Sequence, residues 1–167
     1  MGSRTGADAR RIAYIVATGS YGSRPDLFVT ELGADRVTRV TTGSRLSGYD
    51  VVRFDPSGRR LYFTERLGWA EDGINGLARL ASVDLTSGTV TTADTVVGEP
   101  QGLPRDGSWA LFMRSSAVNP GARELLRRAV DGSETVLASG DLRQAVVLEG
   151  DREAVLHAML PKGRPEL

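Results

Sequence analysis

Three features of the sequence predict an all-β domain built from four-stranded antiparallel sheets. A turn motif recurs at nearly constant spacing. A strand running into a glycine turn recurs between its copies. A β-branched run follows each of those glycines, so that turn residues punctuate the chain about every ten positions. Val and Thr favour such strands because branching at Cβ restricts χ1 and suits a pleated surface.

The clearest turn unit is Phe54-Asp55-Pro56-Ser57-Gly58-Arg59-Arg60-Leu61-Tyr62-Phe63: an apolar strand end, a tight turn, then an aromatic-rich strand. Moving 49 residues on gives Leu103-Pro104-Arg105-Asp106-Gly107-Ser108-Trp109-Ala110-Leu111-Phe112. Moving 49 back gives Ala7-Asp8-Ala9-Arg10-Arg11-Ile12-Ala13-Tyr14, and a weaker copy runs from Leu148 to Leu156. The turn positions Asp8, Ser57, Asp106 and Asp151 thus lie 49, 49 and 45 residues apart. These turns read as structural. Pro presets φ, Asp or Ser bonds nearby backbone, and Gly accepts positive φ.

The second motif is Asp26 to Gly33, with counterparts at Leu80 to Gly88 and Glu124 to Gly132. The β-branched runs after it are Arg36 to Thr42, Thr89 to Val97 and Glu134 to Ala138. Gly121 to Val130 has the length of a short helix, but its place in the repeat and its Asp-Gly exit favour a strand. The opening unit is expected to supply three strands, near 10–18, 25–32 and 36–42, and to lack its first. Two full units follow, at 48–98 and 99–140, and residues 141–160 begin another. Repeats therefore occupy 1–160, and 161–167 reads as a disordered tail or linker.

Four strands per period of 45 to 50 residues is the signature of a β-propeller blade. A single four-stranded sheet cannot cover both of its own faces. Stacking such sheets around an axis buries each face against a neighbour. A closed propeller has about four to eight blades, so this chain is expected to form part or half of one. Either it belongs to a longer product, or two copies assemble and the terminal first strand of one completes the opening sheet of the other, or the chain persists as an open arc, which the large apolar faces left uncovered disfavour.

Residues Phe54 to Phe63 resemble the repeat of the TolB-like propellers: an aromatic, Ser or Asp, Pro-Asp-Gly, a basic residue and an apolar strand. Leu103 to Phe112 is a looser match, with Arg105 where Pro is expected. The resemblance implies six blades if two copies assemble. It also implies a non-catalytic binding module that holds a protein or peptide through loops on one rim. The alternative it raises is the gating propeller of a prolyl-oligopeptidase-type serine peptidase. There the catalytic residues would lie in a separate α/β-hydrolase domain.

Composition narrows the chemistry. Basic and acidic residues balance at 21 each, which removes the usual electrostatic reason to expect nucleic acid. The absence of Cys excludes disulfides and thiolate chemistry, and the single His, His157, reads as an ordinary strand residue. No cofactor and no metal are expected, and a metal-assisted lactonase is disfavoured. No apolar run approaches membrane-spanning length, so no insertion is expected. Met1 to Gly6 has no signal-peptide core. The chain as given reads as cytoplasmic, or as extracytoplasmic if residues are missing upstream. No Gly-x-Ser-x-Gly elbow is present. The pairs Arg59-Arg60 and Arg127-Arg128 read as solvated strand faces.

The most individual segment is Gly68-Trp69-Ala70-Glu71-Asp72-Gly73-Ile74-Asn75-Gly76, between the second and third strands of the first full unit. It reads either as a binding loop or as a solvated loop with Trp69 folded back on the sheet. In the binding reading Trp69 is a contact residue, and Glu71, Asp72 and Asn75 are candidate cation ligands. The equivalent loops are Thr18 to Arg24 and Ser115 to Gly121. They would bring Tyr21, Arg24 and Asn119 to the same rim.

Overall fold

The computed structural model describes residues 6–7, 10–17, 25–40, 48–119, 121–143, 145–147 and 154–155. The described residues form strands and turns, with no helix. Strands β1 (Gly6–Ala7), β2 (Arg11–Ala17), β3 (Pro25–Glu31) and β4 (Val37–Arg39) make the first sheet, in sequence order. The second contains β5 (Gly48–Phe54), β6 (Arg60–Trp69), β7 (Gly76–Asp84), β8 (Val90–Thr92) and β9 (Val96–Val97). The third is β10 (Glu99–Gly102), β11 (Trp109–Ser115), β12 (Arg123–Ala129) and β13 (Glu134–Gly140). A fourth begins with β14 (Val146–Val147) and β15 (Ala154–Val155). Every pairing is antiparallel.

Two differences from the sequence expectation matter. The opening sheet is not three-stranded: Gly6 pairs with Ala13 and Ala7 with Ile12, so the chain fills its own first-strand position. The fourth strand of the second sheet is interrupted. Ala81 pairs with Thr92 and Ala78 with Val96, three steps along β7 against four along its partner. The extra residue forms a bulge, and the Ala93 N–H bonds the Leu80 carbonyl there at 2.9 Å. Gly121 to Val130 contains a strand, β12, as its repeat position requires.

The hydrophobic cores lie between the sheets. Side chains alternate across each strand, so Leu61 and Phe63 face the first sheet while Tyr62 faces the third. Ala13, Leu27 and Val29 meet Phe54, Leu61, Phe63, Ala81 and Val83 in the first core. Ala78, Leu80 and Val96 meet Leu103, Ala110, Phe112 and Leu126 in the second. Leu111, Met113 and Leu125 meet Leu142, Ala145 and Val147 in the third.

The recurring turns are built as their residues dictate. The Asp55 carboxylate accepts from the Arg60 N–H at 2.8 Å and from the Ser57 hydroxyl at 2.5 Å, and Gly58 closes the turn at φ 67°. Asp106 likewise accepts the Ser108 N–H at 3.0 Å. On the same edge, Asp84 accepts from Thr86 and Ser87, and Asp131 from Ser133.

An acid–base pair whose carboxylate is buried or half-buried recurs at one level of the three sheets. Glu65 on β6 pairs with Arg79 on β7. The residue 49 positions on is Arg114, which pairs with Glu124 on β12 at 2.9 Å, with the signs exchanged. In the first sheet the third-strand position holds Asp26, bound to Arg39 at 2.6 Å.

Candidate functional site

The turns joining second to third strands lie on the edge opposite the recurring Asp-Gly turns. In the second sheet, pairing continues to Trp69 opposite Gly76, past a bulge between Arg66 and Gly68. The loop is then only Ala70 to Asn75, and it is held from within. The Ala70 N–H bonds the Asn75 carbonyl at 2.8 Å, and the Gly73 N–H bonds the Ala70 carbonyl at 2.9 Å. Asp72 Oδ1 accepts the N–H groups of Ile74 and Asn75, at 2.8 and 2.9 Å, while Oδ2 accepts the Asn75 side-chain amide at 2.7 Å. The Asn75 N–H, then its side-chain amide, then the Ile74 N–H hold the Asp72 carboxyl below its ordinary pKa of 3.8.

These bonds give Asp72 and Asn75 structural tasks. Both oxygens of Asp72 cap the loop. Asn75 Oδ1 accepts the N–H of Ser115, in the next sheet, at 2.7 Å. Asn75 thus ties the rim of one sheet to the rim of its neighbour. Among the described residues no group of three or more His, Cys, Asp or Glu is placed to hold a metal. Glu71 is exposed.

The neighbouring loop, Ser116 to Ala122, is also self-supported. The Ser116 hydroxyl accepts from the N–H groups of Val118 and Asn119 and donates to Glu124. Ser116 is therefore a loop brace. Glu124 is held below its ordinary pKa by the Arg114 side chain first and by Ser116 second.

Trp69 does not fold back on its sheet: it is 64% exposed. Ile74, in the same loop, is 67% exposed, and Val118, in the adjacent loop, 90%. Asn119 is exposed beside Val118. The structure thus gathers Trp69, Glu71, Asp72, Asn75 and Asn119 on two linked loops. Tyr21 and Arg24 lie outside the described residues, as do His157 and 161–167. Sequence reasoning passed over Ile74 and Val118, although an aliphatic residue between turn-formers is itself a signal. It also misread Arg128, whose side chain is only 17% exposed and faces Glu134 at 3.7 Å. Arg127 lies over the Trp109 ring at 5.3 Å.

On the opposite edge, Arg11, Val29, Glu31, Arg36, Thr38 and Leu85 line a cleft of about 40 Å³, room for little more than water.

No protein-family model and no curated protein matches the sequence. Solved structures do match. TolB from Acinetobacter baumannii is 20% identical, with a TM-score of 0.54, over 87% of this chain and 33% of its own. A variant of the AtxE2 isopeptidase with Astexin3-dC4 bound is 18% identical, with a TM-score of 0.58, over 80% of this chain and 20% of its own. An oligogalacturonate lyase in complex with manganese is 15% identical, with a TM-score of 0.53, over 82% of this chain and 39% of its own. The chain therefore spans between 20% and 39% of these three proteins. Sequential meander sheets with cores between them, together with these likenesses, identify the architecture: the chain carries blades of a TolB-like β-propeller fold.

Proposed function

We propose that the chain is a binding module that holds a protein or peptide through the linked rim loops of its second and third sheets. The observation that supports this most is the exposure of Trp69, Ile74 and Val118 on loops that are internally braced and joined by the Asn75–Ser115 bond. Aromatic and aliphatic anchors on a pre-ordered surface are what a peptide-binding hot spot requires, because little conformational entropy remains to be lost on binding. Glu71 and Asn119 flank the anchors with polar groups suited to a rim around them.

The test is selection from a displayed random-peptide library on the immobilised protein. Peptides enriched on the parent are expected to bind at least about tenfold more weakly to the Trp69→Ala variant, a loss of about 1.4 kcal/mol. Enriched peptides that bind a Trp69→Ala/Ile74→Ser/Val118→Ser variant as well as the parent would place the contact elsewhere.

A further inference from the structure

The rim loops that carry the exposed anchors also carry one sign of charge. Between Leu67 and Ala78, Glu71 and Asp72 are acidic and no residue is basic, while Ser115 to Ala122 holds no charged residue. The chain as a whole balances 21 basic against 21 acidic residues, so this excess is local. Glu71 is exposed and makes no ion pair among the described residues. Asp72 stays ionised because the loop N–H groups favour its charged form. A third carboxylate side chain, that of Glu99 at the start of β10, reaches the same hairpin. Its Cγ stands 3.7 Å from where a Cβ would sit on Gly76, the residue opposite Trp69. The cations on the strands beneath have partners of their own. Arg79 is held by Glu65, and Arg114 by Glu124 and Glu134 at 2.9 and 3.1 Å. Arg66 is half-buried and partnered, and Arg123 lies on the Met113 sulfur at 3.4 Å.

We infer that the segment this rim holds is cationic: a peptide whose Arg lies over Trp69 beside Glu71, with an apolar neighbour against Ile74 and Val118. This rests on the peptide-binding reading above and names the chemistry of its ligand. Trp69 is 64% exposed, and an indole face attracts a cation. A guanidinium suits both parts of the site, since it stacks on an aromatic ring and offers paired N–H donors to a carboxylate. An acidic peptide would meet like charge from Glu71 and Asp72 and is rejected. A wholly apolar peptide would cover Glu71 and leave it without a counter-charge. The aliphatic anchors accept any apolar side chain, and the carboxylates then select among the peptides that carry one. The loops enter this contact already ordered, because Asp72 caps one of them and Asn75 ties it to Ser115.

The test uses peptides that the full chain enriches from a displayed random library, each then synthesised singly. Most are expected to carry Arg next to an apolar residue. Citrulline in place of that Arg keeps its shape and removes its charge, and should weaken binding at least about tenfold. Glu71→Gln, at an exposed position, should weaken the same peptides at least about threefold. The citrulline penalty should shrink on that variant, because the pair is already broken. Asp35→Asn, an exposed carboxylate on the opposite edge, should leave binding unchanged. Enriched peptides with no excess of Arg, or peptides that bind Glu71→Gln as tightly as the parent, overturn this inference. If such peptides still need Trp69, the peptide-binding reading stands without it. Peptides indifferent to Trp69→Ala, or no enrichment at all, overturn both.

Discussion

The ring of Tyr62, on the second sheet, lies against Gly107 in the first turn of the third and leaves no room there for a Cβ. Gly107 also stands at φ 62°, where L side chains are strained. Gly107→Ala therefore meets two obstacles, and the Tyr62 ring must leave its place between the sheets. A loss of about 2 kcal/mol or more is expected in urea unfolding, from backbone strain and overpacking together. A change below about 0.5 kcal/mol would mean the ring is not packed there.

The Asn75–Ser115 bond predicts a second effect. Asn75→Ala removes the acceptor of a part-buried backbone N–H and one brace of the loop. Stability should fall by about 1 kcal/mol. Amide exchange at Ser115 should accelerate beyond that of its β11 neighbours. Asn75→Asp keeps an acceptor at this position and should restore the Ser115 protection, although it sets two carboxylates side by side.

The rim anchors should be nearly free of structural duty. Trp69→Ala, Ile74→Ser and Val118→Ser are each expected to change stability by no more than about 0.5 kcal/mol, because their side chains stand mostly in solvent. Large losses in thermal melts would show that these residues serve the core.

The exchanged signs of Glu65–Arg79 and Arg114–Glu124 indicate that the level needs a pair and tolerates either orientation. Glu65 is 4% exposed and Arg79 more open. Glu65→Arg alone should cost about 3 kcal/mol, as like charges meet in a covered position. Glu65→Arg with Arg79→Glu should recover at least half of that. No recovery in the double variant would contradict the equivalence.

Acid should act through the turn carboxylates. Backbone N–H groups of Ser87 and Thr86 lower the pKa of Asp84, and the Ser133 N–H followed by its hydroxyl lowers that of Asp131. At Asp55, burial raises the value, but bonds from Ser57, Arg60 and Arg59 outweigh it. Each group has a folded pKa below its unfolded value of 3.8. Its contribution is therefore complete above that value and is lost as pH falls through the lower folded one. The urea midpoint should decline below about pH 4, and Asp84→Asn with Asp131→Asn should flatten that decline. An acid limb unchanged in the double variant would contradict the assignment.

The sheets were legible because their turns repeat: Asp55-Pro56-Ser57-Gly58 and Arg105-Asp106-Gly107 mark the same event 49 residues apart, and local chemistry suffices to build each. Gly6–Ala7 was not legible as a strand, because two residues carry no alternation and their strand character comes from pairing with β2. At the rim, Trp69 and its loop were visible as an unusual insert. The role of Asn75 was hidden, because its partner is a backbone N–H 40 residues away that no side-chain pattern marks. The capping by Asp72 was hidden for the same reason: a capping carboxylate and a ligating one look alike in sequence until the N–H groups are located.

Because each core lies between two sheets, no sheet owns one. A blade on its own is a layer with two bare faces, and its cohesion comes only from its immediate neighbours. The array should therefore come apart like a stack of cards rather than a closed fist. Disrupting one layer would uncover the face of its neighbour, and amide protection in each sheet should fall with that of the sheet beside it.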